Sequence, residues 1–383
     1  MKRRPTRKLL ALLLCTAMFF TLLCACQSST TPAPTDNNTP PPTQAATATP
    51  AQPATATPAP VDPPPAPKSL KLTIYTARDE EVYSFVVEKF EAEYPQYDVD
   101  VIAMGAQEIL ERVRAEQANP QCDFWWGGTQ SAFQLASKEG LLQPYVPAFD
   151  SKIQKEYKDP NNLWYGEILL PEVIMYNTDA LKPEEAPQDW DELLDPKWND
   201  QIIIRGVLPS GTMRTIYCSM IIKEGGSDPA NGYEWLRKLD KNTKTYSENP
   251  TAMYLSIARQ EGLISLWNLQ DIMIQKETNN QPFGYILPKS GAPILVDGVG
   301  IVKNCKQPQG AQDLMEFIFR EDIKLALAEE TFQIPAMTGL DKSQMPSWLT
   351  GINLTPMDID WSVLATNEMI WMEYWDQNIK GKG

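Results

Sequence analysis

From residue 69 onward the chain switches repeatedly between two spacings of apolar side chains. LKLTIYTA (70–77) alternates with the period of two expected of a half-buried strand. Residues 79–94 repeat apolar positions every three or four residues, as one face of a helix does. DVDVIAM (98–104) predicts a second strand, 109–118 a helix and DFWW (123–126) a third strand. Residues 131–138 predict a helix that stops at Gly140. A second series follows, with strands at 172–177 and 201–206, helices at 212–223 and 231–239, the strand TKTYS (243–247), a helix at 251–261 and the strand LISLWNL (263–269). After ILVDGVGIV (294–302) come helices at 308–319 and 321–331, and then 357–379, where Trp361, Leu364, Trp371 and Trp375 share one helical face that reads as core packing. This alternation implies an α/β fold built on mainly parallel sheets with helices on both faces.

The front of the chain has neither period. Lys2, Arg3, Arg4, Arg7 and Lys8 precede an almost wholly apolar run from Leu9 to Leu23, the shape of a secretory signal rather than of a full membrane span. The run ends in Leu23-Cys24-Ala25-Cys26, which resembles a bacterial lipobox. That resemblance implies cleavage of residues 1–25, lipidation at Cys26 and an extracellular chain anchored to the cell membrane; an uncleaved anchor is the other reading. Of the 42 residues from Gln27 to Lys68, 13 are proline, and ATATPA occurs at 46–51 and again at 54–59. Such a segment buries too little apolar surface to offset its ordering entropy. Residues 26–68 therefore read as an extended tether, able to reach on the order of 100 Å where polyproline-like.

Composition narrows the chemistry. Beyond the signal, 29 basic residues face 49 acidic ones, a net charge of −20, which argues against nucleic acid or an anionic membrane surface as partner. There is no histidine, which removes Ser-His-Asp and Cys-His catalysis and His-ligated zinc together. No phosphate loop, nucleophile elbow or dinucleotide fingerprint occurs, and no cofactor is expected. Cys122, Cys218 and Cys305 are odd in number and widely spaced, reading as buried residues with at most one bridge and no metal cluster. Such a chain reads as one that holds a molecule rather than transforms it, although facing carboxylates could still serve an enzyme.

In open α/β sheets ligands sit beyond the carboxyl ends of strands. The loops there are YTARDE (75–80), WWGGTQ (125–130), LPSGTM (208–213) and ENPTAM (248–253). Each joins small or hydroxyl side chains to a helix start, where free N–H groups favour anions. Candidate contacts are Thr76, Arg78, Gly127, Gly128 and Thr129 from the first series, and Ser210, Gly211, Thr212, Asn249 and Thr251 from the second. Gly127 and Gly128 would let a ligand reach the main chain, with Trp125 and Trp126 as its walls. Each loop also has an ordinary reading as a helix cap.

LTIYTA, NPQCDFWWGG, MYNTDAL, PSGT, GYILPKSGAPILVDGVGIVKN and GAQDLMEFIF, in that order behind a lipoprotein signal, resemble the bacterial extracellular solute-binding proteins of ABC importers. The branch is that of ferric, phosphonate, thiamine and sugar-phosphate binders. The resemblance implies a two-lobed periplasmic-binding-protein-like fold of type II: residues 69–165 with 294–337 in lobe 1, 166–293 with 338–383 in lobe 2, and two hinge strands near 166–175 and 288–298. It also implies capture by closure and delivery to membrane permease subunits. Where ferric-binding members carry histidine, glutamate and paired tyrosines, this sequence holds Asp79, Gly128 and Gln270-Asp271-Ile272, so direct iron binding and any bound metal are unexpected. Trp267, Asn268, Gln270 and Asp271 are expected to face the cleft from the second lobe. The first expectation for the solute is a small phosphorylated or phosphonate-bearing organic anion, with Arg78 as a charge-assisted donor. A polyamine-like organic cation, met by Asp79, Asp271 and Asp297, is the second, and a lipid-anchored carbohydrate-active enzyme or adhesin the third.

Overall fold

The computed structural model describes residues 69–226 and 228–382. The predicted signal sequence, the lipidation site Cys26 and the tether lie outside the described residues. The first half runs β1 (Leu70–Thr76), α1 (Glu80–Glu93), β2 (Tyr97–Ala103), α2 (Ala106–Ala115), β3 (Phe124–Thr129), α3 (Gln130–Lys138) and β4 (Leu142–Gln143). The long β5 (Trp164–Asn177) leads into β6 (Ile202–Arg205), α4 (Gly211–Gly225), α5 (Ala230–Asn242), β7 (Thr243–Ser247), α6 (Pro250–Ala258), β8 (Ile264–Asn268), α7 (Leu269–Met273) and β9 (Phe283–Ile286). The chain returns through β10 (Ile294–Val302), α8 (Pro308–Ile318), α9 (Glu321–Thr331) and β11 (Ile334–Pro335), then α10 (Ser347–Gly351) and α11 (Trp361–Asn378).

The strands lie in the order β2-β1-β3-β10-β5-β8-β6-β7, with β4 beside β10 and with β9 and β11 beside β5. β1 is parallel to β2 and β3, and β6 is parallel to β7 and β8, so each half has a parallel sheet of its own. β5 joins them. Its residues up to Pro171 pair antiparallel with β10, and from Glu172 it pairs with β8 and β9 instead. Proline has no N–H to give a ladder, which suits the residue at which the strand exchanges partners.

β5 is 14 residues long, where the hydrophobic pattern predicts a strand over 172–177 only. Glu167 lies ahead of that predicted strand and Glu172 opens it, yet both are wholly buried. On α11, Leu364, Trp371 and Trp375 enter the core of the second half while Trp361 is half-buried; Trp375 meets Tyr217 edge-on at 5.2 Å. Cys122 and Cys218 are buried, Cys305 is half-buried, and all three are free thiols.

Candidate functional site

β1, β3, β6, β7 and β8 point their carboxyl ends at one another across the join of the two half-sheets. A cavity of about 500 Å³ lies between these ends. From the first half it is lined by Thr76, Arg78, Asp79 and Thr129, with Asp297 on the returning β10. From the second half come Arg205, Ser210, Gly211, Thr212, Asn249 and Thr251, and at the end of β8 Trp267, Asn268, Gln270 and Asp271. Eleven of the thirteen residues proposed from the sequence thus share one crevice; Gly127 and Gly128 lie outside its lining.

Gly127 and Gly128 serve the packing beneath it. Gly127 has a φ of +93°, which favours glycine, and a Cβ there would lie 3.3 Å from the Ala77 nitrogen. A Cβ at Gly128 would meet the Trp125 ring at 3.0 Å and Phe133 at 3.2 Å. The Gly128 N–H donates to Asp297 Oδ1 at 2.9 Å. Nor do the tryptophans wall the cavity. Trp125 and Trp126 are wholly buried, Trp125 donating to the Gly127 carbonyl at 2.9 Å and Trp126 to Glu167 at 2.6 Å. The two glycines end a buried strand because aromatic rings and a carboxylate approach its backbone.

The hydroxyl-rich loops are helix caps that also border the cavity. Thr129 accepts from the Ala132 N–H at 3.1 Å, Ser210 from Met213 at 3.2 Å, Asn249 from Ala252 at 2.9 Å and Asn268 from Asp271 at 2.9 Å. Each cap leaves other first-turn N–H groups of α4 and α6 outside the helical ladder. Gly211 has a further reason to be glycine: a Cβ there would stand 2.6 Å from Thr129 Cγ2, across the join. The bare position lets the halves approach.

Charge is distributed unevenly around the cavity. Arg78, expected from the sequence to be a charge-assisted donor to the solute, is buried and already engaged. Its Nη2 lies 2.6 Å from Glu167 and 3.0 Å from Asp297. Glu167 also accepts from Lys324 Nζ at 2.6 Å. Burial alone would raise Glu167, but Lys324 and Arg78 hold it down to about 2. Burial pushes Asp297 up to about 6 against the pull of Arg78 and the Gly128 N–H, and pushes Lys324 down to about 8 against Glu167. Two cations and two carboxylates form a closed set.

Arg205 differs. It is only 6 % exposed, closes β6 beside the starts of α4 and α6, and among the described residues has no carboxylate within ion-pair distance. Its hydrogen bond runs from Nη1 to the Gly206 carbonyl at 3.2 Å. Burial lowers its pKa, while Glu108 across the cavity opposes that shift.

One strand over, the imbalance reverses. Asp271 Oδ2 accepts from Trp267 Nε1 at 2.8 Å and from Asn268 Nδ2 at 2.7 Å. Among the described residues, buried Asp79 Oδ2 has no hydrogen-bond partner, nor do the two carboxylate oxygens of Glu172 and the Tyr254 hydroxyl, which lie outside the cavity lining. Burial is the first cause raising Asp79, Asp271, Glu172 and Tyr254, and neighbouring carboxylates add to it: Asp271 for Asp79, Glu172 and Tyr254, and Glu81 for Asp271. Gln270, expected to face the solute, turns its amide to the Thr331 carbonyl at 3.0 Å. Among the described residues no group of three or more cysteine or carboxylate side chains is arranged to hold a metal ion.

Sequence reading missed Arg205, Glu167, Glu172, Tyr254 and Lys324. The retrievable signal was a charge set in an apolar strand, Arg205 closing QIIIR and Glu172 inside ILLPEVIM.

Comparison with known proteins agrees with this architecture. A curated relative, iron uptake protein A1 of Synechocystis sp., is 26% identical over 286 residues, covering 70% of this chain and 77% of its own. The spermidine/putrescine-binding periplasmic protein of Salmonella typhimurium is 25% identical over 208 residues, covering 50% of this chain and 57% of its own. The periplasmic binding protein AfuA from Actinobacillus pleuropneumoniae, solved with fructose-6-phosphate bound, superposes with a TM-score of 0.71 at 23% identity, covering 81% of this chain and 99% of that one. The fold is that of a type II periplasmic binding protein, two lobes bridged by β5 and β10. The family model for bacterial extracellular solute-binding proteins matches residues 127–360, and the chain belongs to that family.

Proposed function

We propose that this chain is the lipid-anchored receptor of an ABC importer and captures a small organic anion of the sugar-phosphate or phosphonate type. The observation that carries this reading is Arg205, a residue only 6 % exposed with no carboxylate in ion-pair distance among the described residues, set where the N-termini of α4 and α6 border the cavity. Buried charge is costly unless it is paired. An oxyanion here would receive a charge-assisted fork together with main-chain donors.

Closure needs contacts from both lobes. Lobe 1 (69–165 with 294–337) brings Thr76, Thr129 and Asp79, and lobe 2 (166–293 with 338–383) brings Arg205, Ser210, Thr212 and Trp267. The closed form is then what the permease subunits recognise, with Cys26 and the proline-rich segment holding the receptor at the membrane. The chain performs no chemistry on the solute in this reading.

A second reading, an organic cation such as a polyamine, is favoured by Asp79 and Asp271 in the cavity lining, Asp79 Oδ2 having no hydrogen-bond partner among the described residues. Thermal-shift titration of the full chain with glucose 6-phosphate, methylphosphonate, putrescine, spermidine and ferric citrate separates the readings. A ligand at 100 times its Kd adds about 2.7 kcal/mol of stability. Stabilisation by the phosphorylated compounds, lost in Arg205→Gln, is the expected result. Stabilisation by putrescine or spermidine alone overturns the anion reading, and turnover of any of these compounds would establish an enzyme.

A further inference from the structure

The two opposite charge imbalances sit in one cavity. Arg205 closes β6, and the acidic side closes β8, where Asp271 stands in the first turn after Trp267 and Asn268. β6 and β8 are adjacent and parallel, pairing at Ile202 and Ile264. Neighbouring strands lie about 4.8 Å apart, so Arg205 and the residues that close β8 are carried on adjacent backbones.

We propose, resting on the receptor reading above, that the solute is a zwitterion: a short amine-bearing organic anion whose oxyanion meets Arg205 and whose ammonium lies between Asp79 and Asp271. Asp271 Oδ2 takes both of that residue's hydrogen bonds, leaving Oδ1 without one among the described residues. Among the described residues Asp79 Oδ2 has no hydrogen-bond partner, and Tyr254, only 7 % exposed and outside the cavity lining, lies within the field of both carboxylates. Tyr254 stands edge-on to Trp267 with centroids 6.5 Å apart, so an aromatic ring backs the acidic pole. An ammonium has three N–H donors to distribute among such acceptors.

The groups facing this pole are Arg78, Glu81, Glu172 and Asp297. Arg78 is ion-paired with Glu167 and Asp297 and also attracts Asp79 and Asp271, which repel each other. A cation between them removes that repulsion. Glu108 and Glu248 also line the cavity on the Arg205 side. Glu108 accepts from the Gly105 N–H at 2.9 Å and attracts Arg205 across the cavity, but among the described residues neither it nor the exposed Glu248 is within ion-pair distance of the guanidinium.

Isothermal titration of the full chain with 3-aminopropylphosphonate, propylphosphonate, propylamine and 4-aminobutanoate tests the proposal. The expected result is that 3-aminopropylphosphonate or 4-aminobutanoate binds about tenfold or more tighter than propylamine and propylphosphonate. In Asp79→Asn and Asp271→Asn the advantage of 3-aminopropylphosphonate over propylphosphonate falls to near unity, while Arg205→Gln weakens both and keeps their ratio. Asp79 makes no capping hydrogen bond to α1, so its substitution leaves that helix start intact. Equal affinity for propylphosphonate and its amino derivative overturns the zwitterion and leaves the anion receptor standing. Failure of every phosphonate and phosphate, with propylamine bound, overturns the anion receptor as well.

Discussion

Glu167→Gln removes one charge from the closed set beneath the cavity, and its cost can be worked from the structure. Glu167 is wholly buried, with Arg78 Nη2, Trp126 Nε1 and Lys324 Nζ each donating to it at 2.6 Å. Its pKa is held at about 2 against an ordinary 4.5. A depressed carboxylate stabilises the fold fully above its unfolded pKa, and that contribution disappears as pH falls through the folded one. At 1.36 kcal/mol per unit the contribution is about 3.4 kcal/mol at pH 7 and about 1.4 kcal/mol at pH 3. Asp297 runs the other way: its raised pKa costs stability progressively as pH rises from its ordinary 3.8 to about 6 and fully above that, and loss of the Glu167 charge lowers it. The window between pH 4 and 6 therefore mixes both groups. Urea unfolding of the wild type and Glu167→Gln at pH 7 and pH 3 is the assay. The variant is expected to lose about 3 kcal/mol at pH 7 and less than half of that at pH 3. A loss equal at the two pH values, or below about 1 kcal/mol at pH 7, would refute electrostatic pairing as the role of Glu167.

Three further substitutions separate packing from binding. Gly128→Val pushes a side chain into Trp125 and Phe133 and is expected to cost about 1–3 kcal/mol of stability by overpacking. Denaturant midpoints would show this, whereas a ligand-facing glycine would lose affinity at full stability. Gly211→Val drives against Thr129 Cγ2 and Ala106 Cβ across the join, so solute affinity should fall about tenfold or more, read by calorimetry, and a full-strength complex would show that the halves need not meet there. Ser210→Ala removes the cap of α4 at a cost of about 1 kcal/mol, measurable by thermal unfolding.

The alternation of strand and helix was legible because each parallel strand is apolar and each connection is a helix with a clear cap. β5 was only half legible, since the buried Glu167 lies ahead of the strand that the pattern predicts and Glu172 opens it. The burial of Glu167 is made possible by Arg78 and Lys324, both remote in sequence. The same limit governs the site. A loop at the carboxyl end of a strand is readable from local pattern, and the four loops do converge. Whether Gly128 faces a ligand or an indole depends on Trp125, Phe133 and Asp297, and 169 residues separate the last of these from the glycine it binds. Arg78 and Arg205 look alike in sequence; only their carboxylate neighbours distinguish them.

That contrast is the strongest reason to read the cavity as a site for a charged solute. Glu172 apart, the fold pairs much of its buried charge: Arg78, Glu167, Lys324 and Asp297 neutralise one another within 3.0 Å. Arg214 and Glu368, buried between α4 and α11, meet at 2.5 Å. Burying an unpaired ion costs several kcal/mol, a large share of the stability of an ordinary domain. Arg205 on one side of the cavity and Asp79 and Asp271 on the other forgo the pairing achieved beneath them, and they stand too far apart to pair with one another. A molecule that brought the opposite charges to both places would recover that cost on binding. Because the two sides are presented across a join that Gly211 leaves free to close, the recovery would be greatest in the closed form, which is the differential contact that closure requires.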